Sequence, residues 1–150
     1  MNLLAPRTGH SPGINPQSVP GVGQIDTLPE LDFVLRQPAV VLDVEAHLHD
    51  GKLIKYQTRV PSVEAAVVVK AHGWRERNAA KDMADLHTLL EIRDAHPEVA
   101  WRLDQDKPKG FRMDTVKVLR ELQTSITKKK IPFPVPHELN RLRFAALIAK

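Results

Sequence analysis

Between Ala39 and Val60 the chain reads AVVLDVEAHLHDGKLIKYQTRV. Two runs rich in Val, Leu and Ile flank Asp50-Gly51, a dipeptide that tolerates the positive φ angles of a tight hairpin turn. This segment therefore predicts a β-hairpin in the middle of the chain. Along its first strand Leu42, Val44, Ala46 and Leu48 point one way, and Asp43, Glu45, His47 and His49 point the other. Asp43 and Glu45 form the D-x-E arrangement by which a strand can offer two oxygen ligands to a hard cation such as Mg²⁺, and His47 extends the same row. The competing reading is the wet face of a two-faced antiparallel sheet, which is normally charged.

The flanks of the hairpin differ in kind. Residues 1 to 38 are rich in proline and glycine (GHSPGINPQSVPGVGQ), which favours turns and extended segments. Only Asn2-Leu3-Leu4-Ala5 reads as a strand there, followed by a long ordered loop. Beyond Pro61 the pattern turns helical. Over Ser62 to Arg75, Val63, Ala66, Val67, Ala71 and Trp74 form one apolar stripe, with Lys70 inside it. The triplet Val67-Val68-Val69 also fits a strand, but the surrounding alanines favour helix. Asn78 is a good N-cap for a second helix from Ala79 to about Ala95. Its apolar face is Ala79, Met83, Leu86 and Leu90, with Asp82 on the flank and Asp85 further out. A third helix spans Met113 to Thr127 with Val116, Leu119, Leu122 and Ile126 near one face. Lys128-Lys129-Lys130 and IPFPVP interrupt, and Glu138 to Lys150 offers Leu139, Leu142, Phe144 and Leu147 for a last helix. Strands followed by helices predict an α+β fold: a short mixed sheet with a β-hairpin, then a helical C-terminal part.

The 150 residues, 42% of them hydrophobic, suit one globular unit. Having no cysteine, the chain can form neither a disulfide, a thiolate zinc site nor a cysteine nucleophile, and a cytoplasmic location is the default. The first residues show no targeting peptide, and no apolar run approaches the ~20 residues that cross a bilayer. A net charge of +4 conceals an asymmetry. Residues 1 to 100 hold 10 Lys and Arg against 13 Asp and Glu, whereas residues 101 to 150 hold 12 against 5. Such a basic end is either a solvated face or a surface for a polyanion such as RNA. With few aromatics to stack on bases, any such contact would be led by phosphate.

A lysine at the edge of a core, with two aspartates on the next helix, is either a structural ion pair or part of an active site. A buried pair is often no better than neutral for stability, which leaves its presence asking for another reason. The segment Pro61 to Ile92, with P...AAVVVKAHGWRER...KD.ADLHTLLEI, resembles the lysine and aspartate motifs of the nucleotidyltransferase toxins of the AbiEii/AbiGii type. Upstream, NLLAP followed by a loop, VPG, Q and a hairpin is similar to the same family, so the likeness covers about residues 1 to 95. It implies a partial DNA-polymerase-β-like nucleotidyltransferase domain over 1–95, with 96–150 as a basic helical extension. It further implies transfer of a nucleotide from NTP, with Mg²⁺, to an acceptor such as tRNA, within a toxin-antitoxin or phage-defence system that supplies an antitoxin partner. By this resemblance the motif lysine is Lys70, which contacts the nucleotide's phosphates, and the motif aspartate is Asp82, with Asp85 as the second acid. Lys81, beside the motif aspartate, becomes a second nucleotide-binding candidate. The family's glycine-serine loop and its metal-binding D-x-D carboxylates belong before the NLLAP strand, and Asn2 stands where relatives carry an acid. The expectation is a chain that transfers nucleotide poorly alone. The other reading is a non-catalytic module that binds a partner protein or RNA through its basic end.

Overall fold

The computed structural model describes residues 4–7, 14–128 and 131–150, arranged as two small sheets and five helices. The chain is α+β, as the order of the sequence patterns implies. Asn2 and Leu3 of the expected first strand, the loop residues 8–13, and Lys129-Lys130 lie outside the described residues.

The stretch expected as one strand and a loop contains more structure than that. Strand β1 (Leu4–Pro6) pairs in parallel with β3 (Gly23–Leu28), and β2 (Asn15–Val19) pairs antiparallel with β3. The sheet order is β1-β3-β2. Gly21 and Gly23 turn the β2–β3 hairpin at φ +77° and +94°, so the glycines taken as loop punctuation are hairpin residues. Proline in β2 is tolerated because that strand lies at the sheet's edge. Helix α1 (Pro29–Leu35) follows at once, with proline at its start, where the missing N–H is not needed.

The central hairpin forms where the sequence places it. Strands β4 (Val40–His47) and β5 (Leu53–Val60) are antiparallel, and Val44 lies opposite Tyr56. Gly51 takes φ +81°, and the carboxylate of Asp50 accepts the Lys52 backbone N–H at 3.1 Å. Helix α2 (Val63–Arg77) starts at Ser62, whose hydroxyl accepts the Ala65 N–H at 3.3 Å. Asn78, expected to cap the next helix, instead ends this one. It adopts the left-handed conformation (φ 50°) that asparagine tolerates, and donates its N–H to Trp74 O. Helix α3 (Ala80–Ala95) then begins from Ala79 without a side-chain cap.

Helices α4 (Phe111–Ile126) and α5 (Arg141–Ala149) close the core. Val67, Val68, Ala71 and Trp74 of α2 pack with Met83, Leu86 and Leu90 of α3, Val118, Leu119, Leu122 and Ile126 of α4, and Phe144 and Leu147 of α5. One apolar cluster thus runs through the division expected at residues 95/96. The single stripe read on α2 is too narrow, because Glu64, Ala65, Val68 and His72 are buried as well. The helix is packed by α1, α3 and α4 on different sides. In α5 the expected apolar face fails at Leu142, which is 78% exposed while Phe144 and Leu147 are buried. The IPFPVP segment is anchored by Phe133, whose ring meets Trp74 edge-on at 5.1 Å.

Candidate functional site

Lys70 and the two aspartates come together. The Lys70 ammonium lies 2.5 Å from Asp85 Oδ2 and 3.7 Å from Asp82 Oδ1. The arrangement follows from helix geometry: α2 and α3 pack side by side through Val67, Ala71, Met83 and Leu86, which aligns the neighbouring polar positions. Lys70 is not fully buried, since its side chain is 34% exposed, and Asp85 is 35% exposed against 6% for Asp82. The two acids are therefore unlike: one is a wall of the protein and the other a flap at its surface.

A second cation completes the cluster. Arg77, seven residues after Lys70 and so on the same side of α2, donates from Nη2 and Nε to Asp82 Oδ2 at 2.7 and 3.2 Å. Asp82 is held between the two. Gly73 makes room for this, because a Cβ there would stand 2.8 Å from Arg77 Nη2. A mid-helix glycine between Lys70 and Arg77 was the available sequence signal for that close approach. Lys81 does not join the cluster; it is exposed and is not among the residues lining the adjacent cleft.

Lys70 and Arg77 also line a cleft of about 170 Å³ between α2 and the first sheet. Leu4, Ile14, Leu28 and Val69 supply its apolar wall, while Glu30, His72 and Glu76 add polar groups. Glu30 and His72 are both buried, with His72 Nδ1 3.3 Å from Glu30 Oε1. Burial pushes the Glu30 carboxyl up, but the hydrogen bond from His72, a backbone hydrogen bond and the nearby charges of His72 and Arg75 outweigh it, leaving the carboxyl below its ordinary range. No sequence pattern pointed to this pair, since Glu30 sits in the stretch read as loop.

The metal candidates on the hairpin are engaged elsewhere. Asp43 accepts a hydrogen bond from Gln57 at 2.8 Å, and Glu45 pairs with Lys55 directly across the ladder. Among the described residues no group of three or more His, Asp or Glu could hold a metal ion. Both carboxylates are thus partnered by residues of β5, the facing strand of the same hairpin. Asp82 and Asp85 are likewise partnered, by Arg77 and Lys70.

The basic end is less free than its composition implies. Arg143 bridges Glu91 and Asp94 at 2.5 and 2.7 Å; its hydrogen bond holds the Glu91 carboxyl below its ordinary range, and hydrogen bonds from Lys150 and then Arg143 do the same for Asp94. Lys150 also reaches Asp94, and Arg112 Nε donates to the buried Glu64 at 2.7 Å. Glu64, in the first turn of α2, accepts the Arg102 backbone N–H too, and so ties the segment before α4 to the core. Lys107, Lys109, Arg120, Lys128 and Arg141 remain exposed. No helix among the described residues is long and apolar enough to cross a membrane.

No protein-family model matches the chain, and neither a curated protein nor a solved structure matches it.

Proposed function

We propose that the protein is a nucleotidyltransferase-like member of a toxin-antitoxin or phage-defence family, with a partial polymerase-β-like fold, and that Lys70 receives the phosphates of an NTP. The observation that carries this reading is that Lys70 and Arg77 belong both to the Asp82–Asp85 cluster and to the lining of the cleft. A lysine ammonium is a mobile point charge suited to phosphate, and the carboxylates fix where it stands. The cleft is small beside the ~300–1,000 Å³ of a typical small-molecule site, so it takes the phosphate end of the nucleotide. Mg²⁺ enters only as the counter-ion carried by the triphosphate. Transfer to an acceptor such as tRNA, and an antitoxin partner, complete the reading.

Calorimetry with Mg-ATP and Mg-GTP tests it. Lys70→Ala should stay folded and lose affinity by about 1.5 to 3 kcal/mol, the worth of a charge-assisted contact. Asp85→Asn, which frees the ammonium, should bind more tightly than wild type. Equal affinity in wild type and Lys70→Ala would end the assignment. A purely structural cluster gives the reverse pattern, a fall in Tm in both variants with no effect of nucleotide. The second reading, a non-catalytic module that binds RNA or a partner protein, is favoured by the exposed Lys107, Lys109, Arg120, Lys128 and Arg141. It requires RNA affinity that falls steeply with salt and drops when those residues are neutralised.

A further inference from the structure

No residue from Ala39 to Pro61 is buried. The β4–β5 hairpin nevertheless has an apolar face: Val40, Leu42, Val44 and Ala46 lie opposite Val60, Thr58, Tyr56 and Ile54. Val40, Leu42, Ile54 and Tyr56 are each more than 40% exposed. A two-stranded sheet alone is marginal in water, and each of its outer edges presents unpaired backbone N–H and C=O groups. Charge decides which edge can be paired, and with what.

We infer that β5 pairs edge to edge with β5 of a second copy of the chain, antiparallel about a two-fold axis through Tyr56, giving a four-stranded sheet β4-β5-β5-β4. Residues directly opposite one another share a face, so only registers that keep apolar opposite apolar preserve the two-faced sheet. Centred on Tyr56, β5 sets Lys55 opposite the partner's Gln57, Ile54 opposite Thr58 and Leu53 opposite Arg59, and no like charges meet. Centred one residue on, at Gln57, it would set Lys55 against Arg59. The β4 edge fails in both of its long registers: centred on Asp43 it stacks that acid on itself, and centred on Val44 it sets Asp43 against Glu45. Like charges directly opposite are destabilising.

The backbone is oriented for this pairing. The Leu48 N–H bonds to the Lys52 carbonyl, and hydrogen-bonded pairs alternate along an antiparallel ladder, so Tyr56 spends its N–H and C=O on Val44. Lys55 and Gln57 therefore aim theirs outward. Across the shared edge those two residues exchange bonds, about eight forming over the whole overlap, and Tyr56 meets its counterpart as a non-hydrogen-bonded pair with Cα atoms about 4.5 Å apart. This inference stands apart from the reading of Lys70.

The chain has no cysteine, so a single introduced thiol reports the register. Under mild oxidation with diamide, Tyr56→Cys should form a disulfide-linked dimer rapidly. Lys55→Cys, about 7–8 Å from its counterpart on the diagonal, should be at least about tenfold slower. Sedimentation of the wild type from micromolar to hundreds of micromolar should show a monomer–dimer equilibrium. Gln57→Lys places two lysines opposite each other on both sides of the two-fold axis, yet gives Asp43 a cation on its own hairpin; it should stay folded and shift to monomer. A monomer throughout, a dimer indifferent to Gln57→Lys, or equal cross-linking at 55 and 56 would each overturn the inference.

Discussion

Gly73→Ala sets two opposite effects against each other. Glycine within a helix is about 0.8–1.0 kcal/mol worse than alanine, so on propensity alone the substitution stabilises α2. The new methyl, however, would stand 2.8 Å from Arg77 Nη2 and must push the guanidinium off. Nη2 is the far end of a flexible side chain, so the guanidinium gives way at little steric cost and what it stands to lose is its hydrogen bonding to Asp82. Bonds to a charged group are worth about 1.5–3 kcal/mol, and solvent screening of the half-exposed Arg77 brings the pair toward the lower end. Asp82 is buried and would keep only Lys70, at 3.7 Å, so the loss does not shrink to that of a surface pair. The two effects nearly cancel, so the expected net change lies within about 0.5 kcal/mol of zero, at roughly 2–4 °C of Tm per kcal/mol in a chain of this size. In an Arg77→Ala background nothing is displaced, and Gly73→Ala should stabilise by about 0.5–1 kcal/mol. Urea unfolding of the four proteins reads the difference between the two backgrounds as a coupling energy. The same effect of Gly73→Ala in both backgrounds would refute the claim that Gly73 exists to seat Arg77.

Phe144→Ala empties a fully buried site beside His87 and should cost about 3–5 kcal/mol by urea unfolding, while Leu142→Ala, two residues away and exposed, should stay within about 0.5 kcal/mol. Glu30 has a carboxyl lowered by folding, so its contribution is fully present above the ordinary glutamate value of about 4.3 and is lost as pH falls through the lowered folded value. Glu30→Gln should flatten that acid limb of a stability–pH curve, and an unchanged limb would count against the His72 bond. Glu64→Ala strands Arg112 beside the core, and hydrogen exchange should quicken first in residues 98–110, because the carboxylate also holds the Arg102 N–H.

The sequence shows a residue's period more clearly than it shows its neighbours. The β4–β5 hairpin was legible because alternation and Asp50-Gly51 are local signals. The first sheet was not. Its strands are short, carry proline, and hold together through a parallel pairing of Leu4–Pro6 with Asp26–Leu28 that no local pattern announces. Asn78 misled because asparagine serves equally at a helix start and in a left-handed stop, and only the backbone decides. Lys70 was found because a cation in an apolar stripe breaks a pattern. Arg77 was missed because an arginine in the last turn of a helix fits the expected one, and His72 because one apolar stripe hid how many sides of α2 are covered.

The two acids at Lys70 bear differently on whether the site can act on a ligand. Asp82 is buried and held from two sides, by Arg77 and Lys70, so a ligand arriving from solvent meets Asp85 before it meets Asp82. Asp85 is about one-third exposed and held through Lys70, and a pair of that kind is worth about 0–1 kcal/mol. On the proposed reading, an incoming phosphate, with more charge than a carboxylate and room in the cleft beside Lys70, displaces Asp85 and leaves the helix pair in place. The cluster can then be an ion pair in the empty protein and a phosphate seat in the loaded one. The Asp85→Asn variant separates these roles, because it removes the competitor while leaving Asp82, Arg77 and the α2–α3 packing in place.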